Sequence, residues 1–270
     1  MNKLAELVFV GLGLYDEKDI SLRGLDEIRE AGAVFAELYT SVMHKLSIKK
    51  LEERVGKRIS IIPRGVLEED AGRIILEQAK KGKTVLLVPG DPLIATTHVD
   101  LRIRAEKQGI RTRVVHGASI ISAVIGLSGL QNYKFGRSVT IPFAEGGFPS
   151  ETPYRVIGEN KAQGLHTLCF LDIKADEEKS MTILEGLKTL QALEGHKKQN
   201  IITSETLVIG IARAGSEAPR VKAGDIEDVM NHDFGASPHA LIIPGKLHFM
   251  EAEALVTFAG APEEVVERVQ

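Results

Sequence analysis

The sequence predicts an α/β protein with two α/β domains, an N-terminal one with a mostly parallel, doubly wound sheet and a C-terminal one with a mixed sheet. Strand and helix patterns alternate regularly up to residue 125, which is typical of a parallel sheet with helices on both faces. A stretch with three glycines at 126–136 then interrupts the alternation. We therefore predict domains at 1–130 and 131–270.

The first domain contains five apolar runs typical of strands, at 5–10, 33–39, 58–62, 84–88 and 111–115. The run at 84–88 does not alternate with polar residues, so it predicts a strand that is buried on both faces. Helices are predicted after Ser21 and after Ser47, both suitable N-caps, and at 66–81 and 100–108. Thr97 and Asp100 resemble a capping box for the last of these helices.

The second domain shows a mixture of strand and helix patterns without a fixed repeat. Strands are predicted at 138–142, 166–172, 206–212, 220–222 and 240–243. Helices are predicted at 154–163, from Ile183 through Leu190, at 226–231 and at 249–258. The polar residues 194–200 predict a mobile loop.

Composition excludes several classes of protein. The net charge of −3, from 34 basic and 37 acidic residues, gives no basic footprint for nucleic acid. A single cysteine leaves neither an internal disulfide nor a thiolate cluster for zinc, and the histidines lack the spacing of a metal site. The apolar run at 7–14 contains two glycines and is too short for a membrane span. We therefore expect a cytoplasmic protein that binds no membrane and no metal.

The segment Pro89-Gly90-Asp91-Pro92 ends the predicted central strand abruptly. Each proline removes a backbone donor and fixes φ, so the ladder cannot continue through it. In open α/β sheets, ligands bind in the crevice beyond such strand ends. The corner fits a ligand-binding turn and a simple crossover turn equally well. We expect Asp91 to contact a ligand, because its position is fixed by the backbone on both sides.

Familiar nucleotide and nucleophile motifs are incomplete in this chain. Asp16 replaces the third glycine of a dinucleotide fingerprint, Glu77 stands where a P-loop needs its first glycine, and Ile121 replaces the closing glycine of a nucleophile elbow. What remains is a set of predicted strand ends rich in backbone groups, at 11–14, 89–94, 117–120, 171–172 and 212–214. Such ends suit a ligand with an amino acid, a ribose and an adenine better than a triphosphate.

Several segments together resemble the diphthine synthases, a branch of the tetrapyrrole-methylase-like group of S-adenosylmethionine-dependent methyltransferases. The likeness extends over essentially the whole chain, in order. It rests on GLGLYDEKDIS, FAELYTS, PGDPLIATTH, HGASIISAV, GLHTLCFLDIK, IARAGS and FGASPHALIIPGKLHFMEAE. The PGDP segment alone indicates only the broader group, whereas the combination indicates the branch.

The resemblance implies a homodimer of two-domain protomers that binds S-adenosylmethionine in the interdomain cleft. It implies eight cofactor-binding residues: Leu14, Asp91, Ile94, Ser119, Ile120, Leu171, Ala214 and His239. The implied substrate is translation elongation factor 2 carrying a 3-amino-3-carboxypropyl group on a histidine, whose amino group is methylated repeatedly to give diphthine. No residue stands out in the sequence as the base for this reaction.

Two alternatives remain open at this point. One is a tetrapyrrole methyltransferase of the precorrin or uroporphyrinogen type with the same fold, and the other is a nucleotide-binding module without enzymatic activity. Under the methyltransferase interpretation, the last product carries a quaternary ammonium, which an aromatic face would stabilise. Tyr15 and Phe143 are the candidates for that face.

Overall fold

The computed structural model describes residues 4–144, 146–174, 177, 179–267 and 269. The chain divides into two compact units, Met1–Ile120 and Ile121–Gln270. This division differs from the domain boundary that we predict between residues 130 and 131, and that boundary stays a prediction. None of the helices among the described residues has the length and apolar character that a membrane crossing requires.

The first unit contains a five-stranded parallel sheet in the order β3-β2-β4-β1-β5. Its strands are β1 Glu6–Gly11, β2 Ala33–Glu37, β3 Ser60–Ile62, β4 Lys83–Val88 and β5 Arg111–Val115. Its helices are α1 Leu22–Glu30, α2 Ile48–Val55, α3 Arg64–Glu68, α4 Arg73–Lys81 and α5 His98–Lys107. The predicted parallel sheet is confirmed.

Strand β4 is buried on both faces, as its unbroken apolar run predicts. Val85 and Leu87 pack into a core with residues of α1 and α2, while Leu86 and Val88 pack into a second core with residues of α4 and α5. Successive side chains of a strand point to opposite faces, so one apolar run supplies both cores. Helices therefore cover both faces of the sheet, as expected for a doubly wound fold.

In the first unit two predicted helix caps are confirmed, whereas one predicted helix and one predicted capping box are wrong. Ser21 and Ser47 cap α1 and α2 by accepting the backbone N–H of Gly24 and of Lys50. The single helix predicted at 66–81 is wrong, because Ala71 and Gly72 adopt positive φ values of 52° and 67° and divide it into α3 and α4. The predicted capping box at Thr97 is also wrong, since that side chain makes no capping hydrogen bond to α5.

The second unit contains a five-stranded mixed sheet in the order β11-β10-β12-β7-β6, in which only β6 and β7 are parallel. Its strands are β6 Val139–Ile141, β7 Thr167–Leu171, β10 Val208–Ala212, β11 Arg220–Gly224 and β12 His239–Ile243, with a hairpin of β8 Ile173–Lys174 and β9 Lys179–Ser180. Its helices are α6 Ile120–Ser128, α7 Thr152–Ala162, α8 Ile183–Lys197, α9 Ile226–Asn231, α10 Phe249–Ala259 and α11 Glu264–Glu267. The predicted mixed sheet is confirmed.

The mobile loop predicted at 194–200 is wrong, because α8 continues through Lys197. The Glu194 carboxylate then accepts the backbone N–H groups of Asn200, Ile201 and Ile202 and the hydroxyl of Tyr154. These bonds hold the pKa of Glu194 below its usual value, even though burial opposes the shift. The four hydrogen bonds to the Glu194 carboxylate hold residues 194–202 in place, although the polar composition of this segment predicts a mobile loop.

Candidate functional site

The carboxyl ends of β1, β4 and β5 meet through three glycines: Gly11 ends β1, and Gly90 and Gly117 each lie two residues beyond the end of β4 and β5. A Cβ placed on Gly11 would lie 2.5 Å from the carbonyl oxygen of Gly90 and 2.6 Å from the backbone nitrogen of Gly117. A Cβ on Gly117 would likewise collide with the Gly90 carbonyl. Only glycine allows three main chains to approach so closely. The result is a surface of backbone groups at the carboxyl edge of the parallel sheet.

The turn after β1 is bonded to the corner after β4. Gly90 donates its N–H to the carbonyl of Gly13 at 2.7 Å, and Gly13 donates to the carbonyl of Gly90 at 3.3 Å. The Asp19 carboxylate accepts the next two backbone N–H groups, from Leu14 at 3.0 Å and from Tyr15 at 2.7 Å. Leu14 therefore lies beside the PGDP corner, at the kind of strand end where ligands bind in open α/β sheets.

Asp91 is buried to 7% exposure, and both of its carboxylate oxygens have partners. One oxygen accepts the N–H of Leu93 at 3.2 Å, a bond within its own turn. The other lies 2.7 Å from Nδ1 of His116, which follows β5. Each oxygen has a second lone pair, so each can accept a further hydrogen bond from a ligand hydroxyl or amine. The ligand role of Asp91 stays a prediction.

The remaining predicted residues of the first unit surround this corner in the chain. Ile94 closes the corner through its N–H to the carbonyl of Asp91 at 3.3 Å, and its side chain is 37% exposed. Ser119 and Ile120 follow Gly117, and Ile120 begins α6. The structure therefore brings Leu14, after β1, close to Asp91 and Ile94, after β4. Ser119 and Ile120 follow the neighbouring strand β5.

A second group of predicted residues lies at one end of the mixed sheet. Leu171 ends β7, and Ala214 comes two residues after the end of β10. His239 begins the antiparallel strand β12, where it pairs with Ala212. Because β12 starts where both of its neighbours end, these residues share one end of the sheet.

The ring of His239 has one nitrogen with a partner and one without. Nδ1 accepts the N–H of Ile183, the first residue of α8, at 3.3 Å. Nε2 therefore carries the proton, and this buried donor has no hydrogen-bond partner among the residues that the structure describes. The Gly235 and Ala236 carbonyls lie near the ring without completing that bond, and burial lowers the pKa of His239 below its usual value. A buried, neutral donor without a partner is a feature that a bound ligand would complete.

A buried polar cluster beside the PGDP corner was missed by sequence reasoning. The Glu37 carboxylate, at the end of β2, accepts the N–H groups of Tyr39 and Thr40 at 3.1 Å and the Thr40 hydroxyl at 2.5 Å. Nε2 of the buried His98 lies 3.7 Å away, and Nδ1 of the same ring donates to the Pro92 carbonyl at 3.2 Å. Burial raises the pKa of Glu37 and lowers that of His98. Glu37, Tyr39 and Thr40 lie in the FAELYTS segment, which the resemblance includes. Only the pairing of β2 with β4 places them near the PGDP corner.

The ring face of Phe143 already has lysine ammonium groups over it. The ammonium of Lys179 lies 4.1 Å from the Phe143 ring centroid, and that of Lys174 lies 5.7 Å from it. A ring face already facing a lysine is less available to another cation. Within the described part of the chain, no group of three or more histidine, cysteine, aspartate or glutamate side chains is arranged to hold a metal ion.

Comparison with known proteins identifies relatives over the whole chain. The family model for tetrapyrrole (corrin/porphyrin) methylases matches residues 6–230. A diphthine synthase from Methanothermobacter thermautotrophicus is 48% identical over 263 residues, which are 97% of this chain and 99% of that protein. A diphthine synthase from Methanocaldococcus jannaschii is 48% identical over 92% of this chain and 97% of its own. A crystal structure of diphthine synthase superposes with a TM-score of 0.88 at 44% identity, covering 98% of this chain and 99% of that one.

Proposed function

The chain belongs to the diphthine synthases within the tetrapyrrole (corrin/porphyrin) methylase family, and from this premise we propose its substrate, site and assembly. It is an S-adenosylmethionine-dependent methyltransferase. Its proposed substrate is translation elongation factor 2 bearing a 3-amino-3-carboxypropyl group on a histidine. The amino group of that side chain is methylated repeatedly to give diphthine. The full-length likeness to curated diphthine synthases favours this function over a tetrapyrrole substrate or a non-enzymatic module.

The described residues fit S-adenosylmethionine in two respects. Gly11 and Gly117 have no side chain, which lets the ends of β1 and β5 pack against the Gly90 carbonyl and leaves backbone N–H and C=O groups at the carboxyl edge of the sheet. The buried Nε2–H of His239 needs an acceptor, which a ribose or an adenine offers. We propose as its binding residues Leu14, Asp91, Ile94, Ser119 and Ile120 in the first unit and Leu171, Ala214 and His239 in the second. That S-adenosylmethionine binds between the two domains stays a prediction.

When bound, S-adenosylmethionine supplies an electrophilic methyl group on a sulfonium. The substrate amine would be the nucleophile for this methyl group, so the positive charge would move from sulfur to nitrogen and no new charge would be created. The residues at the strand ends therefore act mainly by alignment, for which proximity can supply about 7–11 kcal/mol of the barrier. The close approach of the main chains at Gly11, Gly90 and Gly117 suits that task, because backbone groups there need no side-chain rearrangement to align a ligand.

The observation that carries this proposal is the likeness to diphthine synthases over the whole length of both chains. The test is incubation with methyl-labelled S-adenosylmethionine and precursor-bearing elongation factor 2, followed by intact-mass analysis. We expect mass increments of one methyl group each on the factor. The same factor without the precursor group is the control and should stay unlabelled. Folded protein that binds the cofactor but labels only a tetrapyrrole, or nothing, would overturn the proposal.

We also propose that the enzyme is a cytoplasmic homodimer. A cavity of about 620 Å³ in the second unit is lined by residues of α6, β11, α9–β12 and α10, and it contains none of the predicted site residues. Phe258 lines this cavity and is 62% exposed, which supports an interface role for this face. Sedimentation of the Phe258→Glu variant should show a shift towards monomer. A dimer of unchanged stability would exclude this face as the interface.

A further inference from the structure

Repeated methylation of an amine requires a proton acceptor. The inference below rests on the proposed function, because it concerns the amine of that substrate. An ammonium nitrogen has no lone pair, so each round must remove one proton before the nitrogen can attack. The acceptor needs a free lone pair, a fixed orientation and a route to solvent for the proton.

The pair of His116 and Asp91 meets these three requirements. Nδ1 of His116 lies 2.7 Å from the Asp91 carboxylate, which can only accept a hydrogen bond, so Nδ1 carries the proton and Nε2 presents a lone pair. Asp91 is fixed in turn by the N–H of Leu93. The His116 side chain is 77% exposed, and it precedes Gly117 at the carboxyl edge of the parallel sheet.

The other titratable groups at the predicted strand ends are occupied in ways that oppose this role. His239 uses Nδ1 as an acceptor for Ile183, so its Nε2 already carries a proton. His98 is buried to 1% exposure. Asp172 accepts the N–H of Phe143 with one oxygen and the N–H of Ile173 with the other, both at 2.9 Å.

The carboxylate of Glu37 is no better placed. It is fully buried and accepts three hydrogen bonds from Tyr39 and Thr40. A proton taken up there would sit on a group that itself has no contact with solvent. His116 is thus the group at these strand ends that combines a directed lone pair with contact to solvent.

We propose that His116 is the catalytic proton acceptor and that Asp91 is its positioning residue. In each round a proton passes from the substrate ammonium to Nε2, which gives a neutral amine and an imidazolium. The amine lone pair forms the new nitrogen–carbon bond while the carbon–sulfur bond breaks, and its electron pair stays on sulfur. The imidazolium then releases its proton to water, which restores the acceptor for the next round.

The exposure of His116 agrees with a substrate that is itself a protein. A modified histidine on another macromolecule can reach only groups that are accessible before docking. Docking would then cover the ring, and dissociation would return it to solvent. A buried base would serve a small molecule that enters a pocket, whereas this geometry serves a side chain that is delivered from outside.

The first test reads the tautomer of His116 without using activity. Two-bond proton–nitrogen correlation on histidine-labelled protein should show His116 protonated at Nδ1, with the Asp91→Ala variant reverting to the mixture of free imidazole. His116→Asn identifies the signal by its loss. A ring protonated at Nε2 in the wild type would overturn the proposal, because that nitrogen could not accept a proton.

The second test is kinetic. His116→Asn keeps a donor for Asp91 and removes the base, so kcat should fall by about 100-fold or more while calorimetry shows unchanged cofactor binding. His116→Ala should regain activity with added imidazole. His196→Asn, at an exposed position of α8, is the matched control and should be fully active. Wild-type kcat in His116→Asn, or no rescue of His116→Ala, would overturn the proposal. A wild-type enzyme that labels no elongation factor would instead refute the proposed function, and the tautomer test would still stand.

Discussion

Nε2 of His166 lies 2.9 Å from the carboxylate of Glu251, and both side chains are fully buried. The same carboxylate binds Lys134 at 2.6 Å and accepts the N–H groups of Gln131 and His248 at 2.8 Å. Nδ1 of His166 accepts the N–H of Gly245 at 3.0 Å. One carboxylate thereby ties the start of α10 to the segment before β6 and to the start of β7.

We predict that Glu251→Gln destabilises the protein. The bonds from His166 and Lys134 outweigh burial and lower the pKa of Glu251 from 4.5 to about 2. A lowered pKa stabilises the folded state above the unfolded pKa of 4.5, by about 3 kcal/mol, and this contribution is lost as the pH falls from 4.5 to about 2. Urea unfolding should therefore show a difference between wild type and variant that is full at pH 7 and shrinks below pH 4.5.

The exposed Glu253, on the same helix, provides the control for this prediction. Glu253→Gln should have the same free energy of unfolding as the wild type, both at pH 7 and below pH 4.5, since surface substitutions change stability by only about 0.5 kcal/mol. A Glu251→Gln variant with wild-type stability at pH 7 would contradict the prediction, because it would show that the charge of Glu251 does not stabilise the folded state.

We predict that His239→Ala raises the KM for S-adenosylmethionine more than it lowers kcat. The neutral ring offers a buried Nε2–H that a bound cofactor would satisfy, and losing one such bond costs about tenfold in affinity. His239→Gln places an amide donor near the position of Nε2 and should recover part of the affinity. Steady-state kinetics separate the two parameters. A large loss of kcat at saturating cofactor would assign His239 to the chemistry instead.

We predict that Gly117→Ala damages the first unit and weakens cofactor binding. Its Cβ would collide with the carbonyl of Gly90, and overpacking of this kind costs about 1–3 kcal/mol. Thermal unfolding and calorimetry would measure both effects. The matched control is Gly195→Ala in α8, where a Cβ meets nothing within 4 Å and should raise stability. Equal stability of the two variants would contradict the close approach of the strand ends.

We predict that Tyr15→Ala shifts the products towards lower methylation states. The aromatic face would stabilise the growing cation by about 0.5–2 kcal/mol, and this gain matters most in the last round. Tyr15 is bonded to Asp19 through its backbone N–H, which the substitution leaves intact. Tyr15→Phe keeps the ring face and should give wild-type products by intact-mass analysis. An unchanged distribution in Tyr15→Ala would make Tyr15 a packing residue.

The sequence predicts the sheets better than the helix boundaries. Strand β4 is recognisable because a short apolar run without alternation is typical of a parallel strand that is buried on both faces. Helix α6 was not predicted, because its apolar residues run into the glycines at 126 and 129 and show no polar face. The break at Ala71 was invisible, since alanine carries no signal for positive φ.

The site was predictable in its chemistry and not in its contacts. Strand ends rich in backbone point to a ligand with little charge, but the eight binding residues follow from resemblance alone. The pairing of His116 with Asp91 spans 25 positions, and it depends on β1 lying between β4 and β5. Parallel neighbours that are distant in sequence cannot be read from local patterns.

The contact among Gly11, Gly90 and Gly117 has a consequence for redesign of this enzyme. A side chain at Gly11 or Gly117 would collide with main chain, and the positive φ of 69° at Gly90 disfavours any larger residue there, so the part of the site they form cannot be tuned by side-chain replacement. A library aimed at new methyl acceptors would lose its folded members there. Diversity belongs instead at neighbours such as the exposed Ile94 and the half-buried Tyr15, where new shapes can be introduced while the surface built by the three strand ends stays as it is.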